Sequence, residues 1–429
     1  MKEYLKAFDK VIGYDDEKRK LIPVCDMMRN PEKYKKLGVS MPHGAVLQGD
    51  PGYGKTLLSK CFIEACGVPY FICRKDKADG NFIDYLKECF DKAVSEAPAI
   101  VFLDDMDKFA NEDAGHKNTE EYVAVQACMD NVKDKDVFVI ATTNESRRLP
   151  DSLLRAGRFD INLEINGLDK ESQIKLIDYF LKTKSFVENV SAKEIWNIIG
   201  SGISCAELEK IINDAAIKAA FDERDTVTRD DVIQSCLDHH FGGVDLSKQP
   251  GKEFLLAIAY HEAGHIVVSE ALDPNSVSLA SIKAYHSSNG GVTCYFEQAE
   301  SPKFVSGKMN KVIRDLAGKA AIEIVFKEID TGTYSDLYHA KILLDDIRDD
   351  IAAFGFDFLT NWGSLRDSDK AREKAEYVMK MEIKKLYEKA KTILIENRPF
   401  LDAIANLLLE KQTIFCEDIQ GAKKVCGIV

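Results

Sequence analysis

The stretch GDPGYGKT (49–56) follows the apolar run GAVLQ (44–48) and precedes the helical run LLSKCFIEAC (57–66). It satisfies the pattern G-x-x-x-x-G-K-[ST] in the strand–loop–helix setting that a phosphate-binding loop requires. The glycines let the backbone curl so that its N–H groups point at phosphate oxygens, and the following helix adds the positive end of its dipole. We predict that Lys55 reaches the β and γ phosphates of ATP and that Thr56 holds Mg²⁺ through its hydroxyl.

Two further apolar runs, AIVFLDD (99–105) and VFVIATT (137–143), are rich in Val, Ile and Phe and predict buried parallel strands. Helical stretches such as FIDYLKECFDKAV (82–94) separate the strands, so we predict a doubly wound α/β domain over residues 1–167. The contacts to the nucleotide phosphates are predicted on the loop and the first turn of its helix, at Asp50, Pro51, Gly52, Tyr53, Gly54, Lys55, Thr56 and Leu57.

Polar side chains follow the second and third of these apolar runs. AIVFLDD ends in two carboxylates, as a Walker B element does, so Asp104 is predicted to order the Mg²⁺ shell and Asp105 to polarise the attacking water. Asn144 follows the next strand and is placed to hold the same water or the γ-phosphate. Two aspartates after an apolar run also describe a capped strand end, but the phosphate loop upstream favours an ATPase.

The segment LLRAGRFD (153–160) carries Arg155 and Arg158 three residues apart. One interpretation is a solvated surface pair. The other is an arginine finger that reaches the nucleotide of a neighbouring subunit. The spacing alone leaves both interpretations open.

From residue 168 to 243 the apolar spacing is close to 3.6 residues, which predicts a helical domain. A linker is predicted at GGVDLSKQPGK (242–252), and a mostly helical third domain over residues 244–429. Within the third domain, GGVTCYFEQ (290–298) predicts a strand. The charged segment 368–397 keeps an apolar stripe and predicts an amphipathic helix.

The segment EFLLAIAYHEAGHIVVSEAL (253–272) contains the pattern HExxH at His261, Glu262 and His265. Four helical residues at about 100° each bring the two imidazoles to one face, one turn apart, where both can bind a single zinc ion. Glu262 is placed to take a proton from the attacking water rather than to bind the metal. The alternative is a pair of core histidines with hydrogen-bonded neighbours.

A catalytic zinc site needs a third protein ligand. Neither a HxxGxxH extension nor a nearby glutamate helix follows the motif. The residues alone leave several candidates open: Asp336, Asp330, His339 and the pair Asp345–Asp346. An aspartate just before an amphipathic helix is also a common N-cap.

The formal net charge of −13 disfavours nonspecific binding to nucleic acid or anionic membranes. Eleven scattered cysteines, with no CxxC pair and no secretory signal, favour a reducing cytoplasm. No run of about 18 apolar residues occurs, so no membrane-spanning helix is predicted.

The motifs GDPGYGKT, VFLDD, ATTN, LLRAGRFD and HEAGH, in this order, resemble those of the FtsH type of AAA+ zinc metalloprotease. The likeness runs from FDKVIGYDDEK (8–18) nearly to the C-terminus. The resemblance implies an AAA+ ATPase core (1–167), a helical lid (168–243) and an M41-like zinc peptidase domain (244–429). It also implies a hexameric ring, driven by ATP, that unfolds proteins.

The resemblance also implies roles for residues that spacing could not assign. The zinc ligand is Asp336, because TGTYSD (331–336) is similar to the family's TGASND-like segment, and Arg155 and Arg158 act in trans. The nucleoside is expected beside Val11, Ile12 and Gly13 and under the lid motif GISCAEL (202–208), which includes Cys205 and Ala206.

The sequence departs from the family pattern at four places. Asp105 stands where glutamate is usual, and Cys205 stands where the lid motif has glycine. The loop in ICRKDKADGNFIDYL (72–86) is shorter than usual and has no aromatic residue before Gly80, so translocation by an aromatic pore residue is in question. The family's N-terminal membrane helices have no counterpart in this sequence, so we expect either a soluble member, which Met1 slightly favours, or a chain from which such helices have been removed.

These features support a soluble, hexameric ATP-dependent zinc endopeptidase that unfolds and degrades unfolded or tagged proteins, with adaptor proteins as further partners. The altered pore and Asp105 motivate an alternative, an ATP-driven remodelling or chaperone ring whose peptidase is gated or auxiliary. A third hypothesis is an ATP-independent peptidase in which the ATPase ring serves only assembly.

Overall fold

A computed structural model describes most of the chain and divides it into two compact units. The described residues are 3–75, 82–109, 119–145, 149–155, 157–184, 190–200, 202–245, 251–286, 290–296, 304–329, 332–349, 351, 353–354 and 369–428. The first unit comprises residues 1–187 and 201–216, and the second comprises residues 188–200 and 217–429.

The first unit is built on a five-stranded sheet in which every pairing is parallel. The strand order is β2-β3-β4-β1-β5. β1 therefore lies between β4 and β5, neither of which follows it directly in the sequence. The three predicted strands are confirmed as β1, β3 and β4. The strands are β1 (Gly44–Gln48), β2 (Tyr70–Cys73), β3 (Ala99–Leu103), β4 (Val137–Thr143) and β5 (Ile161–Glu164).

Helices cover both faces of this sheet. Successive strand residues point to opposite sides, so each face has its own set of apolar side chains that pack against helices. Val46 and Val101 pack with the apolar faces of α4 and α5. Leu47 and Phe102 pack with those of α1 and α3. The doubly wound α/β prediction is therefore confirmed. The helices of this unit outside 201–216 are α1 (Asp15–Arg29), α2 (Pro31–Lys35), α3 (Lys55–Cys66), α4 (Phe82–Ser95), α5 (Thr119–Asn131) and α6 (Lys170–Thr183), with 3-10 turns at Glu3–Lys10 and Met106–Lys108.

The predicted helical region continues with three helices. They are α7 (Ala192–Ile199), α8 (Cys205–Phe221) and α9 (Arg229–Phe241). The division between the compact units falls inside this region rather than at its two ends. The division into three domains at residues 167 and 243 therefore stays a prediction.

Among its described residues, the second unit continues from α9 with seven helices around a small antiparallel sheet of order β7-β6-β8, in which β7 is an outer strand. The predicted strand within 290–298 and the predicted long amphipathic helix are confirmed as β7 and α14. The elements are α10 (Lys252–Leu272), β6 (Val277–Ser281), β7 (Val292–Tyr295), α11 (Val305–Asp315), α12 (Ala317–Phe326), α13 (Tyr334–Asp349), α14 (Asp369–Glu396), α15 (Arg398–Lys411), β8 (Thr413–Phe415) and α16 (Cys416–Val425).

The helix α10 lies at the centre of this unit and packs against α12 and α15. Small residues allow the close approach: a Cβ added at Gly264 would lie 2.6 Å from the carbonyl oxygen of Ala317 and 2.7 Å from the Cβ of Ala321. The backbone of α12 can therefore approach the helix that carries His261 and His265.

Across the described residues, none of the helices combines the length and the hydropathy needed to span a bilayer.

Candidate nucleotide site and metal centre

The phosphate loop joins β1 to α3 at the carboxyl edge of the parallel sheet. Gly52 and Gly54 adopt φ values of 85° and 92°, in the region that favours glycine. Gly49 has φ 145°, and a Cβ at this position would lie 2.2 Å from the carbonyl oxygen of Ile165. The glycine pattern is therefore explained by backbone conformation and by a close approach to the segment after β5.

Lys55 begins α3 and is buried within the loop. Its Nζ donates hydrogen bonds to the carbonyl oxygens of Gly49 and Asp50, at 2.6 and 2.7 Å. Burial lowers the pKa of Lys55, and the carboxylates of Asp107, Asp105 and Asp50 oppose this effect. The ammonium group is thus held inside the loop, where a phosphate oxygen can replace the carbonyl acceptors.

The two predicted Mg²⁺-binding residues lie together. Asp104 is buried, and its Oδ1 accepts hydrogen bonds from the hydroxyls of Thr142 at 2.9 Å and Thr56 at 3.3 Å. A carboxylate beside a hydroxyl at the carboxyl edge of the sheet fits a hard cation with oxygen ligands. Arg74, which follows β2, brings a guanidinium nitrogen to 3.8 Å from Asp104 Oδ2. Sequence reasoning missed both Thr142 and Arg74.

Asp105 adopts a left-handed conformation, with φ 55° and ψ 53°. Its backbone N–H donates to Thr142 Oγ1 at 2.9 Å, and its Oδ2 accepts from Lys108 Nζ at 2.6 Å. Aspartate tolerates this conformation better than longer side chains do, since its short carboxylate can hydrogen-bond locally. Asp105, which stands where the family usually has glutamate, is therefore also a position with a left-handed backbone conformation.

Asn144 follows β4, and its backbone N–H donates to Asp107 Oδ1 at 3.1 Å. Asp107 is two residues beyond Asp105, so the segments after β3 and β4 are tied together at one edge of the sheet. Asn144 and the two Walker B aspartates therefore lie at the same edge as the phosphate loop, as parallel strands require.

The predicted nucleoside residues flank the phosphate loop on two sides. Gly13 has φ 76°, and a Cβ there would lie 2.6 Å from Leu168 Cδ2. The hydroxyl oxygen of the next residue, Tyr14, lies 2.9 Å from the carbonyl oxygen of Tyr53 and 2.8 Å from that of Asn166, and its one proton can be donated to either. Val11 is buried, and Ile12 is partly buried.

The lid motif 202–208 lies against the same loop. The N–H of Ala206 donates to the carbonyl oxygen of Gly52 at 3.1 Å, and the Tyr53 hydroxyl donates to that of Gly202 at 3.3 Å. Burial raises the pKa of the Cys205 thiol, which lies beside the Tyr14 hydroxyl. The residues named for nucleoside binding are thus grouped around the phosphate loop.

The two candidate finger arginines differ in their surroundings. Arg155 is exposed. Arg158 donates to both carboxylate oxygens of Asp130, at 3.1 and 2.8 Å, and to the carbonyl oxygen of Ser152. Hydrogen bonds from Arg158 and Lys133 lower the pKa of Asp130 to about 2. Arg158 is therefore held within its own chain, whereas Arg155 projects into solvent.

The metal donors come from α10 and from the first turn of α13. His261 Nε2 lies 3.0 Å from Asp336 Oδ2, and His265 Nε2 lies 3.3 Å from the same oxygen. The two Nε2 atoms are 3.1 Å apart. Hydrogen bonds from both histidines hold the pKa of Asp336 below its usual range although burial acts to raise it.

The surrounding residues fit a bound zinc ion. Two imidazoles and one carboxylate are the donor set of many catalytic zinc sites. His265 Nδ1 donates to the carbonyl oxygen of Arg314 at 2.8 Å, which turns Nε2 toward the site. A Cβ added at Gly318 would lie 2.5 Å from His261 Nε2 and 2.6 Å from His265 Nε2. Only glycine leaves this space open.

Replacing Gly318 with Ala should therefore weaken zinc binding. Because the added methyl group forces both imidazoles to move, we expect about a 10–100-fold loss of zinc affinity. Zinc bound per chain would be measured by mass spectrometry in the presence of a competing chelator. Gly421→Ala is the matched control, since a Cβ at this helical glycine meets no atom within 4 Å. Unchanged zinc affinity in Gly318→Ala would contradict this assignment.

None of the other third-ligand candidates that the structure describes belongs to the donor group of His261, His265 and Asp336. Asp345 pairs with Arg348 at 2.9 Å, and Asp346 pairs with Lys308. His339 lines the same cleft but is outside the group of three donors that lie within 4.8 Å of one another. Asp330 lies outside the described residues, as do residues 76–81 of the predicted pore loop, including Gly80.

Glu262 is buried beside the donors and faces the sheet. Its Oε2 accepts a hydrogen bond from Thr293 Oγ1 on β7 at 2.6 Å. A Cβ at Gly291 would lie 2.5 Å from Glu262 Cγ and 2.8 Å from its Oε1. The segment 290–293 therefore positions the carboxylate, a role that sequence reasoning did not assign. The double glycine before the strand was the available signal.

A cleft of about 590 Å³ contains the three donors, Glu262 and the outer strand β7. Asp315 also lines it, and burial raises the pKa of this carboxyl group. The cleft thus combines a group of potential metal donors, a buried carboxylate and an outer strand on which an extended chain can form backbone hydrogen bonds.

Two known families match the chain, one over the part that contains the phosphate loop and the other over the part that contains the three metal donors. Residues 45–166 match the ATPase family associated with various cellular activities (AAA), and residues 251–421 match Peptidase family M41.

Individual relatives are similar over nearly the whole chain. An ATP-dependent zinc metalloprotease FtsH of Caldicellulosiruptor bescii is 30% identical over 448 residues, covering 96% of this chain and 71% of the relative. The protein of the same name from Aster yellows witches'-broom phytoplasma is 31% identical and that from Bacillus subtilis 28%; 96% of this chain aligns with each. The chain spans 63% and 69% of their respective lengths.

Proposed function

The chain belongs to the FtsH family of ATP-dependent zinc metalloproteases, and from this premise we propose how its own residues divide the work. ATP hydrolysis at the phosphate loop drives protein substrates to a His261/His265/Asp336 zinc centre, where Glu262 is the general base. The observation that carries the proposal is the cleft in which these three donors, the buried Glu262 and an outer strand meet.

For ATP hydrolysis we assign each residue at the sheet edge one task. The loop amides and Lys55 bind the phosphates, and Thr56 with Asp104 holds Mg²⁺. Asp105 polarises the attacking water, and Asn144 orients it. The lid residues Cys205 and Ala206 close over a nucleoside that lies beside residues 11–13. These assignments are supported by the shared edge at which the residues lie.

For peptide cleavage, a bound zinc ion supplies Lewis acidity toward the substrate carbonyl and lowers the pKa of the attacking water. Glu262 removes the proton from that water and delivers it to the leaving amine. Thr293 keeps the Glu262 carboxylate turned toward the cleft through its 2.6 Å hydrogen bond. The outer edge of β7 binds the substrate backbone as an added strand, which suits a protease with little sequence preference.

The assembly and the partners are also proposals. We propose a homo-hexamer in which Arg155 completes the neighbouring ATP site, with unfolded or tagged proteins as substrates and an adaptor as a further partner. The exposure of Arg155 supports its action in trans. A cytoplasmic location is supported by eleven cysteines that are all free thiols. The acidic net charge of −13 supports a chain without a nucleic-acid partner.

A degradation assay tests the proposed function. One protein substrate, in folded and in unfolded form, is incubated with the chain and either ATP or a nonhydrolysable analogue, with and without a zinc chelator. We expect the folded form to be degraded only with ATP, and the chelator to stop all cleavage while ATP hydrolysis continues. Degradation that survives zinc removal would contradict the proposed centre. Unfolding without any cleavage would support a remodelling ring instead.

A further inference from the structure

Arg314, in the last turn of α11, lines the cleft that contains the metal donors. Its side chain is 23% exposed, and its Cζ atom lies 3.7 Å from the centre of the Tyr295 ring on β7. The Nε atom is buried and has no hydrogen-bond partner. In the part of the chain that the structure describes, none of the five N–H donors of this guanidinium group has an acceptor.

The metal donors do not depend on this side chain. Arg314 supports His265 through its backbone carbonyl oxygen, which every residue has. Among the described residues its one ion pair is long, with 3.7 Å between Nε and Asp315 Oδ1. Burial raises the pKa of Asp315 although Arg314 opposes this effect, so the pair does not compensate for the lost hydration. The guanidinium therefore lacks a strong partner in the described part of the chain.

The contact with Tyr295 leaves the guanidinium available to an anion. At 3.7 Å its flat face covers the ring, a stacking that arginine favours because its charge is delocalised and weakly hydrated. The N–H groups lie at the edges of the plane, where they form a fork that matches the two oxygens of a carboxylate. Among the described residues that line the cleft, Arg314 is the one with a permanent positive charge. Apart from a bound metal, it is therefore the group in the cleft best suited to a carboxylate.

The strand β7 sets the distance between Arg314 and the proposed general base. Thr293 and Tyr295 are two residues apart on this strand, so their side chains point to the same face, about 7 Å apart. Thr293 binds Glu262, and Tyr295 stacks on the guanidinium. A substrate strand paired with the outer edge of β7 presents every second side chain on that face. A substrate residue about two positions from the cleaved bond therefore lies beside Arg314.

We propose that Arg314 is a specificity-determining residue that binds a carboxylate of the substrate about two residues from the cleaved bond. This inference rests on the proposed peptidase function and adds a substrate class to it. The carboxylate is that of an Asp or Glu side chain or that of the substrate's C-terminus, because both present the same two oxygens to the guanidinium. A neutral amide at the same place accepts a hydrogen bond but lacks the charge, so it should be recognised less well.

Two series of fluorogenic peptides test the subsite. In the first, Glu or Gln occupies each of three positions on both sides of one cleavable bond. In the second, the peptide ends one, two or three residues after that bond, in either a free carboxylate or an amide. The measured quantity is kcat/KM with ATP and Zn²⁺ present. At one position in one series we expect the carboxylate peptide to be cleaved at least about tenfold faster than its neutral counterpart. The series that shows this preference identifies the source of the carboxylate.

Substitutions of Arg314 assign the preference to its side chain. Arg314→Gln should reduce the ratio to about twofold or less, and Arg314→Lys, which keeps the charge but not the fork, should retain an intermediate ratio. Arg314→Glu should reverse the preference, so that a peptide with a cation at the selected position, a Lys side chain or a terminal aminoethyl amide, is cleaved faster than the carboxylate peptide. Loss of folding cannot produce such a reversal. Bound zinc should not change, since the carbonyl that supports His265 remains.

Lys311→Gln is the matched control, because Lys311 is a cation one turn earlier on α11 and is not among the residues that line the cleft. It should show the same carboxylate-to-neutral ratio as the unmodified chain. Each ratio compares two peptides with one preparation, so a general loss of activity cancels. If Arg314→Gln cleaves neither peptide, the ratios of Arg314→Lys and Arg314→Glu decide.

The outcomes separate the two proposals. If the unmodified chain cleaves peptides in a zinc-dependent way but at equal rates with and without the carboxylate, the subsite is wrong and the peptidase function stands. The same holds if the substitutions of Arg314 leave the ratio unchanged, or if every one of them slows or stops the cleavage of both peptides equally. If the unmodified chain cleaves none of the peptides or the unfolded protein, the proposed function itself is wrong.

Discussion

Replacing Glu262 with Gln should lower the rate of peptide-bond cleavage by about 10²–10⁴-fold, the usual contribution of a positioned general base. The substitution keeps the shape of the side chain and its hydrogen bond with Thr293, and it removes the proposed proton acceptor. Because Glu262 lies outside the group of three donors, zinc content should not change. ATP hydrolysis should persist, since the phosphate loop lies in the other compact unit.

Cleavage of an unfolded protein, ATP turnover and bound zinc would be measured on the same preparation. Glu253→Gln is the matched control, because Glu253 lies on the same helix but is exposed and does not line the cleft. It should behave like the unmodified chain. ATP-dependent breakdown at an unchanged rate in Glu262→Gln would show that another group is the base.

The metal site was only partly predictable from local sequence patterns. Helical periodicity is a local property, so two histidines four residues apart were enough to predict half of the zinc site. Asp336 is 75 residues from His261, and nothing in its own segment distinguishes it from Asp345 or Asp346. Residues alone left this choice open, and the family resemblance named Asp336. The structure shows the physical difference, because the other two carboxylates have cationic partners.

The residues that sequence reasoning missed act through tertiary contacts. Gly318 matters because of the two imidazole rings that lie opposite it, and Thr293 matters because β7 passes Glu262. Arg314 contributes its backbone carbonyl, which any residue could supply. Apart from the double glycine before β7, none of these roles leaves a periodic or compositional signal, so the folded arrangement is needed to reveal them.

The strands of the first unit were also only partly predictable from the sequence. β1, β3 and β4 are buried along most of their length, and their continuous apolar runs made them predictable. β5 is an outer strand with only Leu163 buried, so its sequence INLE has no such run and the strand was not predicted. The family resemblance also could not foresee that Arg158 pairs with Asp130 in its own chain.

Replacing Arg155 with Ala should reduce ATP hydrolysis by about 10³–10⁵-fold if Arg155 is the finger of a ring. Nucleotide binding should be retained, because no residue of the phosphate loop changes. Turnover, nucleotide affinity and the size of the assembly would be measured together. Arg19→Ala is a control for the loss of a positive charge, since the Arg19 side chain is 76% exposed and far from the loop in sequence. It should leave turnover unchanged.

Subunit mixing distinguishes action in trans from action within one chain. Lys55→Ala removes the phosphate-binding ammonium group but keeps the finger, and Arg155→Ala does the reverse. In rings assembled at random from equal amounts of the two variants, about one quarter of the interfaces pair an intact loop with an intact finger. ATP hydrolysis should therefore return to about a quarter of the unmodified rate. A chain with both substitutions should not contribute to recovery. If mixing restores nothing although the rings form, Arg155 acts within its own subunit or not at all.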